Sequence, residues 1–522
     1  MPTGLSSPPE LGLPAKFDAW RPNQGEALEQ LLDSTQRIEA VSAPTGFGKS
    51  LLITAEALLS PQPTAIVTHS RGLQDQLELE FPGLSIASLK GKSNYPCSYL
   101  GAEGNCEEGA HAKCAFAGTV QCPNSRAEMR ASVSRVVVTN YAKWTTSKLK
   151  TPGPMHIQRV TFDEAHEAPQ ALEEAVHIEL TAKSINDDVG WDFPSSPEEM
   201  TSWKPWAQSV RLDVLNMTEK LKRDIKDSSR PKQAWVRQLL HFQNLRRKLD
   251  MLANAKPHDW IVEESEKGWM FDPIAPARYV EMALFFNLPR INLVSATLRP
   301  KAMARLNLGR DKYHFQEFPS DFSADRCPII SVPTLRVAYG VEDLSELWRM
   351  FDAAASLRRD RKGICHTVSF DLQRQLMAAS RFSHSFIANR QGDATPAMIE
   401  RFKRSKPGTI LATPSVGAGY DFPGRDCEFQ FLLKIPFPPG RSKIMAARKE
   451  ADPDYLNFLT MNKLVQMCGR GMRFKQDRCQ TIIVDSRMTW FMKNHGYLAP
   501  KWFHQFYQTM SHLPAPLPAL AA

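Results

Sequence analysis

The sequence predicts an α/β protein made of two similar units, each built on a parallel sheet. Three observations carry this: apolar runs of strand length alternate with helical segments in both halves, two short polar motifs each directly follow such a run, and a long helical insertion interrupts the first half. In the first half, RIEAVSA (Arg37–Ala43) reads as a short strand, LLITAEALL (Leu51–Leu59) as the helix after it, and RVTF (Arg159–Phe162) as a buried strand. In the second half, KGICHTVS (Lys362–Ser369), TILAT (Thr409–Thr413), FQFLLKIPF (Phe429–Phe437) and TIIVD (Thr481–Asp485) repeat the alternation. With 522 residues there is room for about three domains and more than one core.

The loop between the first strand and its helix reads APTGFGKS, Ala43 to Ser50. This is the phosphate-binding pattern with Ala43 in place of the usual leading glycine, set in the strand, loop, helix context the motif requires. Gly46 and Gly48 let backbone N–H groups close on phosphates, and Thr45 stands beside them in the loop. Lys49 supplies a point charge to the β- and γ-phosphates, and Ser50 offers a hydroxyl to magnesium at a helix start whose dipole favours an anion. FDEAH (Phe162–His166) supplies the acidic partner: Asp163 emerges at a strand end to hold magnesium, and Glu164 polarises the attacking water. The ordered pair implies ATP hydrolysis.

A net charge of +9 suggests a polyanionic partner, although so modest an excess also occurs in proteins that bind nothing acidic. The start has no basic segment followed by an apolar one, and no stretch approaches 18 apolar residues, so a cytoplasmic protein is expected. Of nine cysteines, Cys97, Cys106, Cys114 and Cys122 crowd into a polar stretch too poor in apolar periodicity to pack alone. Four thiolates there can bind a tetrahedral zinc or an iron–sulfur cluster, with His111 a further candidate ligand. No CxxC pair is present, which weakens the zinc-knuckle reading. The remaining five cysteines read as buried spectators.

The string LKGKSNYPC (Leu89–Cys97), the four cysteines, VVVTNY (Val136–Tyr141), DEAH and SAT (Ser295–Thr297) together resemble the DinG/XPD family of superfamily 2 DNA helicases. The resemblance covers most of Phe17 to Arg487. It implies two RecA-like motor domains and a [4Fe–4S] cluster on the four cysteines. RPNQ (Arg21–Gln24) is similar to the adenine-side motif, with Gln24 reading the base edge. Thr68, Arg71 and Gln74 stand where such helicases contact the nucleic-acid backbone, although a threonine and a glutamine there can equally cap a helix. Ser295 and Thr297 would link phosphate state to strand grip.

In the second unit, QMCGRGMR places Gln466, Arg470 and Arg473 at helical spacing, so all three are predicted on one helix face, which can also be an ordinary solvated surface. The resemblance implies that these groups reach the γ-phosphate across a cleft. In SVGAGYDFPG (Ser415–Gly424), Asp421 matches the family's nucleotide-site loop, whereas Ala418 replaces its usual acidic residue and leaves one polar contact in doubt.

Residues 167–294 resemble the family's helical arch and read as helical and aromatic rather than strand-like. From Trp203 to Asp250, twelve lysines and arginines face five acids, interleaved with Trp203, Trp206, Trp235 and Phe242. That mixture suits phosphate tracking and base stacking, or else a small core.

The expected organisation is an N-terminal tail (1–16), a first motor (17–90, 131–166 and 285–315), a cluster domain (91–130) and an arch (167–284). A second motor (316–510) and a flexible tail (511–522) follow. The resemblance implies a monomeric ATP- and magnesium-dependent helicase moving 5′ to 3′ on single-stranded DNA and opening forked DNA in the bacterial cytosol or nucleoid, with a phage or plasmid origin open. The alternative is a DNA-stimulated translocase that remodels complexes without strong unwinding, for example with protein partners in replication, repair or a CRISPR-type defence assembly.

Overall fold

The computed structural model describes the chain outside residues 1–4, 70, 82–83, 112–113, 151–156, 229–231, 339, 342, 391–394, 416–419, 421, 441, 475 and 519–522. Asp421 and Ala418 therefore lie outside the described residues, as do the side chains of Arg71 and His111.

Two seven-stranded sheets organise the chain. The first runs in the spatial order His314–Glu317, Ile38–Ser42, Arg290–Ser295, Arg159–Asp163, Thr64–Thr68, Val136–Asn140, Ile86–Ser88, and every pairing is parallel. Its central strands are buried on both faces, as parallel strands covered by helices must be. Parallel order also brings all carboxyl ends to one edge, where ligands of open α/β sheets bind. The phosphate loop follows Ser42, the DEAH motif follows Phe162, and SAT begins at Ser295, so three motifs distant in sequence meet at that edge.

The second sheet is likewise parallel, in the order Phe386–Ile387, Ile410–Thr413, Gly363–His366, Phe429–Leu432, Gln480–Asp485, Ile329–Leu335, Tyr507–Thr509. The strand expected over Phe429–Phe437 stops at Leu432, before the Pro436 and Pro438 that bracket Phe437 and cannot continue a ladder.

Two insertions leave the first sheet. Residues 91–130 carry the four cysteines, the two-stranded ribbon Pro96–Cys97 with Gly101–Asn105, and the short helix Cys106–His111. The larger insertion holds the long helices Met200–Asp227 and Gln233–Ala253, as the periodicity predicts. It also contains an antiparallel sheet of Ile178–Thr181, Gly268–Pro273 and Trp260–Ser265. The sequence reading had no strands there. WIVEES and GWMFDP are joined by a two-residue turn, and Gly268 there, at φ 150°, packs against the Leu180 carbonyl.

Of the two readings of the arch aromatics, the core reading holds. Trp203, Trp206 and Phe242 are buried together with Val210, Leu249 and Phe271, with Trp203 and Phe271 edge to face at 4.7 Å. They are not available to stack on bases. Trp235 is only half-buried and carries Lys232 over its ring at 5.4 Å.

The two insertions touch each other. Glu108 accepts from Arg237 Nε at 3.0 Å and from Gln233 Nε2 at 2.8 Å, and Leu100 packs against Val236 and Leu239. The last turns of the chain are also docked. The Pro514 carbonyl accepts from buried Arg358 at 2.9 Å and the Ala515 carbonyl from Gln480 at 3.1 Å, so residues 511–518 are held where a flexible tail was expected. Residues 5–16 likewise form a short turn, with Leu13 buried under the first sheet. Among the described residues no helix is long and apolar enough to cross a membrane.

Candidate functional site

The site lies in the cleft between the two motors and is built first from backbone. Gly46 (φ 79°) and Gly48 (φ 85°) turn the chain through left-handed conformations, and the helix Lys49–Leu59 starts immediately after. Gly46 has a second reason to lack a side chain, because a Cβ there would fall inside the ring of Phe322 from the segment joining the motors.

Gln24 is fully buried, donating from Nε2 to the carbonyls of Phe47 (2.7 Å) and Gly48 (3.1 Å) while its Oε1 accepts from the Arg21 N–H at 2.7 Å. In this structure the expected base-edge reader braces the phosphate loop. Arg21, next to it in RPNQ, donates to the Gly46 carbonyl and also reaches the Arg473 carbonyl at 3.5 Å.

Lys49 is buried. Burial lowers its pKa, against the opposing pull of Glu164 and Asp163. Asp163 is pushed up to about 7 by burial and by the charge of Glu164. Its Oδ1 accepts from the Glu164 N–H at 2.9 Å. Glu164 itself sits at φ 47°, ψ 47°, a left-handed conformation that is strained for a non-glycine residue and aims its carboxylate out of the strand line into the cleft. Desolvation in the cleft opposes ionisation, yet its pKa is lowered, chiefly by Lys49 and His166, so it stays an anion able to polarise water. Asp163, at the strand end, and Ser50, at the helix start, are the oxygen donors that would hold a magnesium ion here.

A relay that the sequence reading missed runs from Glu164. Ser295 Oγ donates to Glu164 at 3.3 Å and is hydrogen-bonded to His166 Nδ1 at 2.6 Å. His166 Nε2 contacts Glu167 at 3.1 Å and also Gln466 Nε2 from the second motor. Burial alone would lower the His166 pKa, but the Glu167 hydrogen bond and the charges of Glu167 and Glu164 outweigh it and hold it above the usual value. Glu167 is correspondingly driven down to about 2, burial notwithstanding. Gln466, expected on ATP, lies against the histidine of DEAH and donates to Glu167 at 3.5 Å. The signal was present in the spelling of the motif, whose fourth letter has no assigned task if only Asp163 and Glu164 act.

Gln466, Arg470 and Arg473 do not share a helix face. The helix Tyr455–Cys468 ends at Gly469, and a second glycine at 471 prevents its resumption, so both arginines project from a turn beyond it. That turn is fixed by a residue the sequence reading passed over. The buried carboxylate of Asp477 accepts from the N–H groups of Arg473 and Phe474, each at 2.7 Å, and from Gly424 at 3.1 Å.

Arg470 donates to the Tyr420 carbonyl at 2.8 Å, and burial brings its pKa down to about 10. Arg473 is also lowered by burial, with Glu164 the first of the charges that oppose this. The two arginines and Gln466 face Glu164, His166 and Glu167 across a cavity of about 280 Å³. On the same seam, Thr45 and Gly469 approach so closely that a Cβ on Gly469 would lie 2.8 Å from Thr45 Oγ1.

The residues expected on the nucleic-acid backbone fare differently. Thr68 and Gln74 are fully buried. Thr68 Oγ1 donates to the Thr139 carbonyl at 3.4 Å, and Gln74 Nε2 donates to Ser88 Oγ (2.7 Å) and the Val138 carbonyl (3.1 Å), bracing the sheet edge. Ser295 belongs to the hydrolytic relay. Thr297 is buried, and its hydroxyl has no partner among the described residues.

The four cysteines converge. Cys106 Sγ lies 3.1 Å from Cys122 Sγ, and a Cβ on Gly109 would collide with Cys97 Sγ while lying 3.9 Å from Cys114 Cβ. Three of the thiols are buried, and no cysteine of the chain is in a disulfide. Among the described residues no group of three or more donors is arranged as a formed metal site.

Comparison with known proteins agrees with this geometry. Residues 18–188 match the family "Type III restriction enzyme, res subunit", and residues 360–506 match "Helicase C-terminal domain". No curated protein matches the chain. Among solved structures, "XPD_Helicase" is similar with a TM-score of 0.61 at 15% identity, over 94% of this chain and 98% of that one. "Structure of S. tokodaii Xpd4" is similar with a TM-score of 0.61 at 12% identity, over 94% of this chain and 100% of that one. Two parallel-sheet motors with this site, together with the two family matches, support a helicase-type NTPase. The likeness to the two XPD structures is one of fold.

Proposed function

We propose that the chain is an ATP-dependent DNA helicase that moves 5′ to 3′ along a single strand and separates duplex at forks. The observation that carries this reading is the division of one hydrolytic site between two motors, with Lys49, Asp163 and Glu164 on one side of the cleft and Gln466, Arg470 and Arg473 on the other. A site completed only when the cleft is closed couples ATP turnover to motor movement. The contact from Gln466 to His166, and from there through Ser295 to Glu164, gives the second motor a direct hold on the water-polarising carboxylate. Magnesium, held by Ser50 and Asp163, would neutralise phosphate charge. DNA as substrate and the direction of travel rest on the resemblance to the DinG/XPD family.

The test is unwinding of forked duplexes bearing only a 5′ or only a 3′ single-stranded tail, with Lys49→Ala as control. Unwinding confined to the 5′-tailed fork and abolished by the substitution is the expected result. Hydrolysis stimulated by DNA without strand separation on either fork would replace this reading with that of a remodelling translocase.

Cys97, Cys106, Cys114 and Cys122 would hold a [4Fe–4S] cluster, which would supply the cohesion that this polar segment lacks. The support is the donor set itself, four gathered thiols free of disulfides, three of them buried. Protein purified without oxygen is expected to contain about four iron atoms and four acid-labile sulfides per chain, with the iron lost in Cys122→Ser. A single zinc instead would replace the cluster assignment.

A further inference from the structure

The second motor carries, apart from the ATP cleft, a basic cavity that the hydrolytic mechanism does not use. It has a volume of about 580 Å³ and opens beside the edge strand Phe386–Ile387. Its walls come from the end of the helix Ser345–Ser356, the turn at residues 380–385, and the segment that follows the helix Thr395–Lys403. Ile410, which lines it, begins its strand, and the whole of the two-residue edge strand Phe386–Ile387 lines it too, whereas the cleft lies beyond the carboxyl ends. The helix Thr395–Lys403 lies between the two, with Arg401 lining this cavity and Lys403 the cleft.

Arg359, Arg381, Arg401 and Lys406 surround the opening, all exposed. Arg359 and Arg381 each lie over the ring of Phe382 at 5.4 Å, which fixes their guanidiniums in place before any ligand arrives. Carboxylates are scarce. Asp352 approaches Arg381 at 3.8 Å, while the nearby Asp360 and Glu400 are directed to Arg361 and Arg404. Among the described residues no carboxylate pairs with Arg359, Arg401 or Lys406. Four cations held around one concavity repel one another unless an anion joins them.

We propose that this cavity binds the phosphodiester backbone of a nucleic-acid strand outside the motor cleft, a second anchor for DNA that has left or not yet entered it. The Phe382 ring is covered by guanidiniums and leaves no face for a base, so recognition is of phosphate rather than of sequence. The charges are long, exposed side chains from three chain segments around an open cavity, which suits an extended polyanion better than a small enclosed ligand. The inference rests on the nucleic-acid reading of the motor given above.

The test uses the full chain and the triple variant Arg381→Glu, Arg401→Glu, Lys406→Glu. Fluorescence anisotropy is measured over a salt series with two single strands, one short enough to fill only the cleft and one several times longer. The variant should lose the extra affinity of the long strand, and its log–log salt slope should fall by about two, roughly 0.7 for each phosphate contact removed. Short-strand affinity and short-strand-stimulated hydrolysis should be unchanged, which also shows that the variant is folded. An unchanged long-strand slope with intact short-strand binding would overturn this inference alone. Binding of inorganic pyrophosphate lost in the variant, with long-strand binding unaltered, would overturn it in favour of a small phosphate ligand. A wild-type chain that binds neither strand would overturn the proposed function and this inference with it.

Discussion

Arg473→Ala is expected to lower ATP turnover by roughly a thousandfold or more while changing ATP affinity little. The guanidinium belongs to the second motor, and its opposing charges, Glu164 first and Asp163 among the others, belong largely to the first, so its effect is greatest when the cleft is closed on the nucleotide. It reaches the cleft from a turn held by Asp477 through the backbone N–H groups of Arg473 and Phe474, and those contacts survive loss of the side chain. Arg470→Ala is less clean, since Arg470 also holds the Tyr420 carbonyl and its removal releases a neighbouring loop. Arg473→Lys should recover little, because a point charge on a flexible stem does not reproduce the planar fork. Steady-state hydrolysis with and without single-stranded DNA, set beside equilibrium binding of a fluorescent ATP analogue, separates the alternatives. Weakened binding with turnover intact would make Arg473 a nucleotide-holding group instead.

Where each functional group sits was legible wherever a motif ends a buried strand. Asp163, Ser42 and Ser295 terminate parallel strands, and a parallel sheet leaves their successors only one edge to occupy. What each polar side chain does there was less legible, because a hydrogen bond partner cannot be read from spacing. Gln24, Gln74 and Gln466 were all assigned to ligands, and all three amides are engaged by protein groups. Burial explains the pattern: an amide at a crowded sheet edge must find donors and acceptors, and backbone carbonyls are the nearest.

The arch shows the same limit for aromatics. Trp203 and Trp206 lie three residues apart, a spacing equally suited to a stacking ledge and to a core stripe. The three-stranded sheet that they pack against was not recognised, so the core that claims them was invisible. Asp477 was overlooked for a different reason: it follows two glycine-bounded turns and bears no motif, yet its carboxylate fixes the arginine loop.

The second large effect concerns stability at the base of the same site. Arg159→Leu is expected to destabilise the first motor by about 3–5 kcal/mol, because it strands a buried carboxylate. Glu56 is fully buried and Arg159 nearly so, with Nη1 2.7 Å from Oε1, and Thr161 Oγ1 donates to the second carboxylate oxygen at 2.6 Å. Arg159 also donates to the Leu31 carbonyl at 3.1 Å and to Gln62 at 3.1 Å. The pair joins the helix that follows the phosphate loop to the strand that ends in Asp163, so it holds Lys49 and Asp163 in register.

Burial raises the Glu56 pKa, and Arg159 is the first of the groups restraining that rise. Without Arg159 it rises further. For an acid whose folded pKa exceeds its unfolded value, folding takes up protons, and stability declines as pH rises above the unfolded value. The deficit of Arg159→Leu relative to the native chain should therefore shrink as pH falls towards the range in which Glu56 becomes neutral. Denaturant midpoints at several pH values provide the measure, with Glu56→Leu/Arg159→Leu as the companion. The double variant should be far less destabilised than Arg159→Leu alone, since an apolar pair leaves no buried charge behind. Equal losses at every pH would show that the site needs the shape of Arg159 and not its charge.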